Sequence, residues 1–277
     1  MLANRIGSAL RVGITGSRGL IGQALLEYLI GLDRPPVISA FPGDVLDRDS
    51  VKLWAEDFGP SIVFHLAAKV PSRVDEASKD LVREVNELGP AFFASAVAKS
   101  QPASTVRFIY VSTSHVYASS PQPISESGLV SPLNFYGQTK LDGEQRLQTL
   151  EARGDIKLAI MRLFSIYSEK QGPEYLFGSL RRRLQVSQTS HGTSLPGWNN
   201  IRDFIHADHA ARIIGDLGLG NFEGTVNVGS GRGISVKDFA EEQFGKRFTT
   251  SSRDKDQSPT ALVADVSLMN ELLQHVG

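Results

Sequence analysis

The stretch Leu10-Arg-Val-Gly-Ile-Thr-Gly-Ser-Arg-Gly-Leu-Ile-Gly22 decides the fold. Its first six residues predict a short buried strand, which runs directly into a turn with glycines at positions 16, 19 and 22. From Leu20 onward, apolar residues recur at helical spacing up to Gly31. Glycines at a tight strand-to-helix turn let a pyrophosphate approach the backbone, and the helix N-terminus offers free N–H groups. The strand, turn and helix together predict a dinucleotide-binding unit.

The second predicted strand, Pro36 to Ala40, bears on which dinucleotide binds. In such a unit an acidic residue near the end of this strand usually binds the adenosine ribose, but Ser39-Ala-Phe-Pro42 contains none. Arg18, inside the glycine turn, could instead reach a 2′-phosphate, or it is simply a solvated turn residue. The sequence therefore favours NADP over NAD and leaves both open. Asp44 could accept a hydrogen bond from the adenine amino group.

Two later apolar runs, Ser61 to Ala68 and Val106 to Val111, predict strands buried on both faces. His65, inside the first run, is interpreted as a hydrogen-bonded core residue. Helices are predicted at Leu81 to Asn86 and at Pro90 to Lys99. This alternation predicts an α/β fold with a doubly wound parallel sheet, in which ligands bind at the carboxyl ends of the strands, where Thr113 lies.

The sequence Tyr136-Gly-Gln-Thr-Lys140 places a phenol and an ammonium one helical turn apart on one face. An adjacent lysine cation favours the phenolate, so Tyr136 could exchange a proton with a hydroxyl or carbonyl group. Such pairs also occur on solvated helices, and the pair gains weight only from its context.

Composition excludes several classes of protein. With 277 residues, 41% of them hydrophobic and 21% charged, the chain can bury a large core and is not mainly disordered. A formal net charge of -1 argues against nucleic acid or an anionic membrane as a partner. The absence of cysteine excludes disulfides and thiolate chemistry, and the six histidines show no metal-ligand spacing, so no metal is predicted. No signal core or membrane span is evident, and we expect a cytoplasmic protein.

The motifs occur in an order that resembles a known family. The glycine turn, Asp44, His65-Leu-Ala-Ala68, Ser112-Thr113 and Tyr136-x-x-x-Lys140 follow one another as in the extended short-chain dehydrogenase/reductases. This group contains NAD(P)-dependent sugar-nucleotide epimerases, dehydratases and reductases. The likeness continues through three later landmarks: Ile160 to Tyr167, Ile201 to Asp208 and Val226 to Gly231.

The resemblance implies roles for individual residues. Tyr136 would be the acid/base at the reacting oxygen, Thr113 would hydrogen-bond that oxygen, and Lys140 would bind the nicotinamide ribose and keep Tyr136 easily ionised. His115 stands where a residue can face the sugar, and it either takes a proton from carbon next to a ketone or is inert. Because Ser114-His115 replaces the Asp-Glu pair of the dehydratases, dehydration is disfavoured.

Residues are also predicted for cofactor and substrate. Besides Tyr136 and Lys140, the predicted cofactor contacts are Gly16, Arg18, Gly19, Leu20, Ile21, Gly22, Asp44, Val45, Leu66, Ala67 and Ala68. For the substrate, the resemblance implies that Arg202 clamps a diphosphate, with an interlobe salt bridge to Asp203 or another acid as the alternative. Ser165 stands where many relatives have an asparagine that helps to bind the nucleotide sugar.

We expect a Rossmann-type dinucleotide-binding domain over residues 1–165. Residues 166–277 are expected to form mainly a smaller, mixed substrate-binding lobe, with some segments returning to the first domain. The predicted loop at Pro121 to Pro132 would lie over the active site. An irregular segment is expected at His191 to Asn200, and Arg181-Arg-Arg183 would either meet phosphates or form a solvated helix face.

The resemblance also implies a homodimer that forms through two helices per subunit, one of which is the helix that carries Tyr136 and Lys140. Four residues of the helix predicted at Pro90 to Lys99 could supply apolar surface to the partner helix: Ala91, Phe92, Ala94 and Ala98.

The predicted activity is NAD(P)-dependent redox chemistry at a keto or hydroxyl carbon of a sugar nucleotide. A 4-keto-sugar reductase is favoured by the missing ribose acid, by Arg18 and by the run around Tyr136, which is close to that of dTDP-dehydrorhamnose reductases. An NAD-dependent epimerase is the alternative, because Arg202-Asp-Phe-Ile-His206 is more typical of epimerases and dehydratases. A non-enzymatic dinucleotide sensor is a further alternative, against which the complete set of Thr113, Tyr136 and Lys140 counts.

Overall fold

The main sheet of the protein has six parallel strands. The structure is a computed structural model that describes residues 10–70, 76–173, 175–186, 197–245 and 259–275. The six strands are β1 (Arg11–Thr15), β2 (Val37–Ala40), β3 (Ile62–His65), β4 (Val106–Thr113), β5 (Ile156–Leu163) and β8 (Gly224–Val228). Their order in the sheet is β2-β1-β3-β4-β5-β8. This arrangement confirms the predicted doubly wound parallel sheet.

Helices cover both faces of this sheet and bury its apolar residues. One face packs against α1 (Leu20–Ile30), α7 (Ala207–Leu219) and α9 (Ser267–Gln274). The other packs against α2 (Arg48–Phe58), α4 (Gly89–Ser100) and α5 (Phe135–Ala152). Burial on both faces explains why the strand sequences read as continuous apolar runs.

A second, smaller sheet follows β5. Its strands are β6 (Ser165–Tyr167), β7 (Ile201–His206), β9 (Gly233–Ser235) and β10 (Ala261–Leu262). It packs with α6 (Leu176–Val186) and α8 (Val236–Phe244) around an aromatic cluster that includes Phe204 and Phe239. The chain returns to the main sheet after residue 165, because β8 is one of its strands and α7 and α9 pack against its face. The division into two domains at that residue stays a prediction, and residues 191–196 of the expected irregular segment lie outside the described residues.

The two helices predicted between β3 and β4 form one continuous helical run. Helix α3 (Glu76–Arg83) passes through a π-helical turn (Glu84–Leu88) into α4, so the predicted break is wrong. Pro90 has no N–H group to donate to the carbonyl of Asn86 four residues earlier. The Tyr110 hydroxyl donates to that carbonyl instead, at 3.1 Å. The proline is therefore accommodated by a rearranged turn rather than by ending the helix.

His65 is a core residue, as expected, but it is not hydrogen-bonded. Within the described residues neither ring nitrogen has a hydrogen-bond partner. The ring packs against Phe93, Phe108 and Tyr110, with centroids 5.4–6.0 Å apart. Burial, and then the charge of Lys140, lower the pKa of His65 to about 3, so the side chain is neutral. The prediction of a hydrogen-bonded histidine is wrong because its neighbours are aromatic rings, and the Tyr110 hydroxyl among them donates to the Asn86 carbonyl instead.

A buried ion pair joins α5 to the main sheet. The Glu144 carboxylate accepts from Arg162 Nη2 of β5 at 2.7 Å and also from the Ser112 hydroxyl of β4. The Glu144 and Arg162 side chains are only 1% and 7% exposed. The centroid of the Tyr117 ring lies 4.8 Å from the Arg162 guanidinium. These contacts fix the position of the helix that carries Tyr136 and Lys140.

The predicted dimer surface needs one correction. Ala94 lies on the face of α4 that is fully buried in the core, so it cannot contact a partner chain. Ala91, Phe92 and Ala98 are partly exposed. The homodimer itself stays a prediction, which sedimentation at micromolar concentration would test.

Among the described helices, none is long and apolar enough to cross a membrane.

We expect Glu144→Gln to destabilise the protein by about 3 kcal/mol or more, because it leaves the buried Arg162 cation without its counter-charge. Urea unfolding at neutral pH measures this change. Glu242→Gln is the matched control, since it removes the partner of the exposed Arg232 guanidinium and should hardly shift the unfolding midpoint. Equal shifts in the two variants would contradict the assigned role of the buried pair.

Candidate active site

A cleft of about 510 Å³ lies at the carboxyl ends of β1, β3 and β4, where the strand order of the main sheet reverses. It joins the glycine turn to the ends of the other strands and to helix α5. Its lining includes twelve of the predicted site residues: Gly16, Arg18, Gly19, Leu20, Ile21, Gly22, Leu66, Ala68, Thr113, His115, Tyr136 and Ser165.

The glycine turn is tightly packed against the segment that follows β3. Gly16 has φ +69°, and a Cβ there would lie 2.6 Å from the Ala67 backbone nitrogen. A Cβ at Gly22 would overlap the Gly16 carbonyl oxygen. The Thr15 hydroxyl accepts from the Ala67 N–H at 3.2 Å and fixes the same contact. The close approach thus depends on glycine at both positions.

Helix α1 starts at the floor of the cleft with its N-terminus open. Gly19, the N-cap residue, has no side chain to cap the first turn, and that turn contains no acidic residue. Free N–H groups and the positive end of the helix dipole therefore favour an anion here. The donor set suits the pyrophosphate of a dinucleotide.

Tyr136 and Thr113 line the same cleft, whereas Lys140 lies beneath it. Tyr136 is in the first turn of α5, which Asn134 caps by accepting from the Gly137 N–H at 2.8 Å. Lys140 is 1% exposed, and its Nζ lies 3.9 Å from the centroid of the Tyr110 ring. The structure therefore brings the phenol and the threonine hydroxyl to one surface and places the lysine behind them.

Burial controls the pKa values of this pair. Desolvation, with a smaller contribution from Tyr175, raises the pKa of Tyr136 well above its usual value. Desolvation also lowers the pKa of Lys140 to about 7, although Glu144 opposes the shift. Burial thus has the dominant effect on the pKa of Tyr136, and the stabilisation of its phenolate by Lys140 stays a prediction. Tyr136 is a neutral phenol and hence a proton donor at neutral pH.

His115 is held in one tautomer. The Asn134 amide oxygen accepts from Gly137, so its Nδ2 group must be the donor to His115 Nδ1, 2.8 Å away. Because Nδ1 accepts, Nε2 carries the ring proton. Burial, and then Arg202, lower the pKa of His115 to about 4. A neutral ring with a protonated Nε2 can donate a hydrogen bond, but in this tautomer it cannot abstract a proton.

The residues next to Thr113 have structural roles. Ser112 donates to Glu144, as described above, and the Ser114 carbonyl accepts from the Tyr117 N–H at 3.1 Å in a short 3₁₀ turn, Ser114–Val116. The Thr113 hydroxyl accepts from the His115 N–H at 3.3 Å, which leaves its own proton available to a ligand. Ser112 and Ser114 also line the cleft beside Thr113.

Arg202 does not line the cleft. Its guanidinium donates to the Thr260 carbonyl and hydroxyl, both at 2.8 Å, and it is not paired with Asp203. Asp203 is fully buried and accepts from the backbone and hydroxyl of Ser230 and from the backbone of Gly231 and Ala264. The alternative of an Arg202–Asp203 salt bridge is therefore wrong, and the diphosphate role of Arg202 stays a prediction.

Several predicted cofactor residues lie apart from the lining of the cleft. Asp44 is exposed, and its carboxylate accepts from the Leu46 N–H at 2.9 Å, while Val45 is buried in the core. Ala67 packs behind the glycine turn. Their contact with a cofactor stays a prediction.

The segment Pro121 to Pro132 does not cover the cleft. None of its residues, all of which the structure describes, is part of the lining. Ile124 pairs with Val263 and Asp265 through backbone hydrogen bonds, and the Glu126 carboxylate accepts from the Asn227 N–H at 2.9 Å. These partners hold the segment against β8 and the residues that follow β10, so the predicted position over the active site is wrong.

Sequence reasoning missed Asn86, Asn134 and the wall formed by Lys170, Gln171 and Tyr175. Asn86 is buried in the π-helical turn and links the Lys69 backbone after β3 to the Thr139 hydroxyl on α5. For Asn134, the N-cap pattern before a helix was a usable signal. The other contacts join residues distant in the chain and have no local signature.

Within the described residues, no group of three or more acidic or histidine side chains could hold a metal ion.

Comparison with known proteins identifies relatives of this chain. A family model described as the NAD dependent epimerase/dehydratase family matches residues 12–217. The chain is 30% identical to methionine adenosyltransferase 2 subunit beta from Rattus norvegicus over 167 residues, 57% of this chain and 48% of that protein. It is 33% identical to dTDP-4-keto-6-deoxy-D-glucose reductase from Streptomyces niveus over 139 residues, 50% of this chain and 47% of the relative. The matches thus span about half the length of these curated relatives.

A solved structure shares the fold over nearly the whole chain. The dTDP-4-dehydrorhamnose reductase from Bacillus anthracis, solved in complex with NADP, superposes with a TM-score of 0.76. The alignment covers 98% of this chain and 99% of that chain at 20% identity. At this identity the likeness shows the fold.

We expect Gly22→Ala to weaken NADPH binding by about tenfold or more, because the added methyl group displaces the Gly16 carbonyl and opens the turn. Fluorescence titration measures the affinity. Gly31→Ala, at the other end of α1, is the matched control, since its Cβ would lie 3.4 Å from the Glu27 carbonyl oxygen. A folded Gly22→Ala variant with unchanged affinity would contradict this account of the turn.

Lys140 should make stability depend on pH. Its folded pKa, about 7, is lower than the value near 10.5 of a solvated lysine, so between these values the unfolded chain binds more protons. The stability of the wild type relative to Lys140→Met should therefore rise as pH increases from about 7 towards 10. Chemical unfolding of both proteins across this range tests the sign, and a difference that is constant or falls would contradict it.

Proposed function

Because the chain belongs to the NAD-dependent epimerase/dehydratase family, we propose that it is an NAD(P)-dependent oxidoreductase that reduces a keto carbon of a sugar nucleotide. One observation carries the proposal: a single cleft connects the open glycine turn to Thr113 and Tyr136. A bound dinucleotide extending from the turn towards these two hydroxyl groups would reach the place where a substrate oxygen can meet them.

The residues of the cleft fit a nicotinamide dinucleotide. The N-terminus of α1 and the backbone at Gly16 and Gly19 would bind the pyrophosphate, and Arg18 could reach a 2′-phosphate. When bound, the cofactor supplies the hydride for reduction of the carbonyl carbon. The absence of an acid at the end of β2 and the NADP in the Bacillus anthracis structure support NADP, with NAD as the alternative.

The protein supplies the proton and the electrostatics. Tyr136, neutral because burial raises its pKa, would donate its phenolic proton to the carbonyl oxygen as charge develops there. Thr113 would donate a hydrogen bond to the same oxygen and hold it in position. Lys140 lies behind Tyr136, where its charge would stabilise the phenolate left after donation. The phenolate must regain a proton from water before the next turnover.

The two candidate reactions begin with Tyr136 in opposite protonation states. An epimerase begins by removing a proton from a hydroxyl group, which requires a phenolate, whereas a ketoreductase begins with a neutral phenol. The Streptomyces niveus relative carries the name of a 4-keto sugar reductase. Epimerisation is the second candidate, favoured by the description of the matching family.

The non-enzymatic alternative also has a relative. The Rattus norvegicus protein is named as a subunit of a methionine adenosyltransferase, which is not an oxidoreductase name. Thr113, Tyr136 and Lys140 are all present in this chain, and the first two line the cleft. A protein that only sensed the dinucleotide would not need this set, so we favour the enzyme.

The substrate would lie between the two sheets. Ser165 lines the cleft from β6, and His115 lines it from the turn after β4. We propose that both contact the sugar, with His115 acting as a hydrogen-bond donor. The identity of the base and the sugar, the diphosphate contact of Arg202 and the cytoplasmic location stay predictions.

We expect Tyr136→Phe to lower kcat by about 100-fold or more, the usual contribution of a general acid, while NADPH affinity is kept. The assay follows NADPH consumption with dTDP-4-keto-6-deoxy-D-glucose as the substrate. Tyr167→Phe is the matched control, because that tyrosine packs in the aromatic cluster against Phe177 and Phe239. Unchanged turnover in Tyr136→Phe would refute the proposed role.

The nucleotide content of the purified protein separates the candidates. Stoichiometric NAD released on denaturation would favour the epimerase, because an enzyme that regenerates its cofactor in every cycle can retain it. A protein that is purified empty and then binds NADPH favours the reductase. Cofactor binding without any turnover would favour the sensor.

A further inference from the structure

A lysine from one wall of the cleft reaches the helix of the opposite wall. Lys170 follows β6 and lines the cleft. Its Nζ lies 3.5 Å from the Glu27 carboxylate on α1, two helical turns beyond the glycine turn. Gln23, one turn closer to the glycine turn, also lines the cleft. The Lys170 ammonium group therefore lies at the edge of the cleft, beside the helix whose N-terminus faces the predicted diphosphate.

The backbone that carries Lys170 is held firmly. The Ser168 hydroxyl accepts from the Lys170 N–H at 3.2 Å, and the Ser168 carbonyl accepts from Gln171 at 3.0 Å. The Arg181 guanidinium of α6 donates to the carbonyls of Glu169 and Gln171, on either side of the lysine. Arg181 is thus engaged with the loop, which argues against its alternative role at a phosphate. The loop presents the ammonium group from a fixed point.

The contact with Glu27 is weak enough to be exchanged. The two side chains are 58% and 67% exposed, and an exposed pair at this distance contributes little to stability because water and salt screen it. A diphosphate in the cleft carries more negative charge than one carboxylate. It would also lie next to the N-terminus of α1, where the helix dipole already favours an anion.

We propose that Lys170 binds the diphosphate of the dinucleotide and exchanges Glu27 for it when the cofactor enters. This inference rests on the proposed function, because it assumes that a dinucleotide binds at the glycine turn. Lys170 would then be a second cation at the phosphates, besides Arg18, which lines the same cleft. Glu27 holds the lysine at the edge of the cleft and competes with the ligand for it.

Two substitutions test the exchange because they should act in opposite directions. Lys170→Met should weaken NADPH binding by about tenfold and make the affinity less dependent on salt, because one cation at the phosphates is lost. Glu27→Gln should strengthen NADPH binding because the competing carboxylate is gone, and the gain should be small because the exposed ion pair is weak. In the double variant the effect of Glu27→Gln should disappear, since no lysine is left to release.

The exposed pair of Lys157 and Glu223 provides the matched control. It joins the start of β5 to the residue before β8, at the end of the sheet away from the cleft, with Nζ 2.8 Å from the carboxylate. Lys157→Met and Glu223→Gln should leave NADPH affinity and its salt dependence unchanged. Urea unfolding of each variant shows whether an affinity change reflects lost structure.

The possible outcomes separate this inference from the proposed function. If the wild type binds NADPH or NAD and Lys170→Met binds with the same affinity and salt dependence, the role of Lys170 is refuted while the function stands. Equal weakening by Lys170→Met and Glu27→Gln would also refute it, because the pair would then act only as a structural tie. A wild type that binds neither nucleotide would refute both.

Discussion

The structure depends on one buried carboxylate, that of Glu144. It accepts from Arg162 on β5 and from Ser112 on β4, and it belongs to the helix whose first turns carry Tyr136 and Lys140. A charge this deeply buried must keep its partners, so α5 cannot slide or rotate relative to the two strands without exposing an unpaired ion. The position of the phenol in the cleft is therefore determined by contacts about two helical turns further along α5.

Local patterns in the sequence predicted the parts of the site whose geometry is itself local. The glycine turn, the strand end at Thr113 and the helical pair of Tyr136 and Lys140 each lie within a few residues of chain, and their backbone conformation follows from residue type. The order of the motifs added the resemblance, and with it the arrangement of the sheet. Twelve predicted residues meet in one cleft because parallel strands all end at the same edge.

The remaining features depend on residues far apart in the chain. The pKa of Tyr136 was predicted from its neighbour Lys140, but burial by the surrounding fold has the larger effect. Asn86 meets Thr139, and Arg202 meets Thr260, through contacts that no spacing rule describes. His65 was expected to find a polar partner, and the aromatic rings around it could only be known from the packing. Burial and long-range contact are properties of the folded chain, which a single sequence encodes without displaying.

The π-helical turn before α4 has a consequence for how this chain can change length. The turn holds one residue more than a regular helical turn, and that residue lets Pro90 sit inside a continuous helix while the Asn86 carbonyl turns to Tyr110. Deleting one residue there would restore regular helix geometry but would bring the proline ring against a carbonyl that has lost its tyrosine partner. Insertions and deletions in lineages related to this chain should therefore avoid residues 84–90 and accumulate in the surface loops.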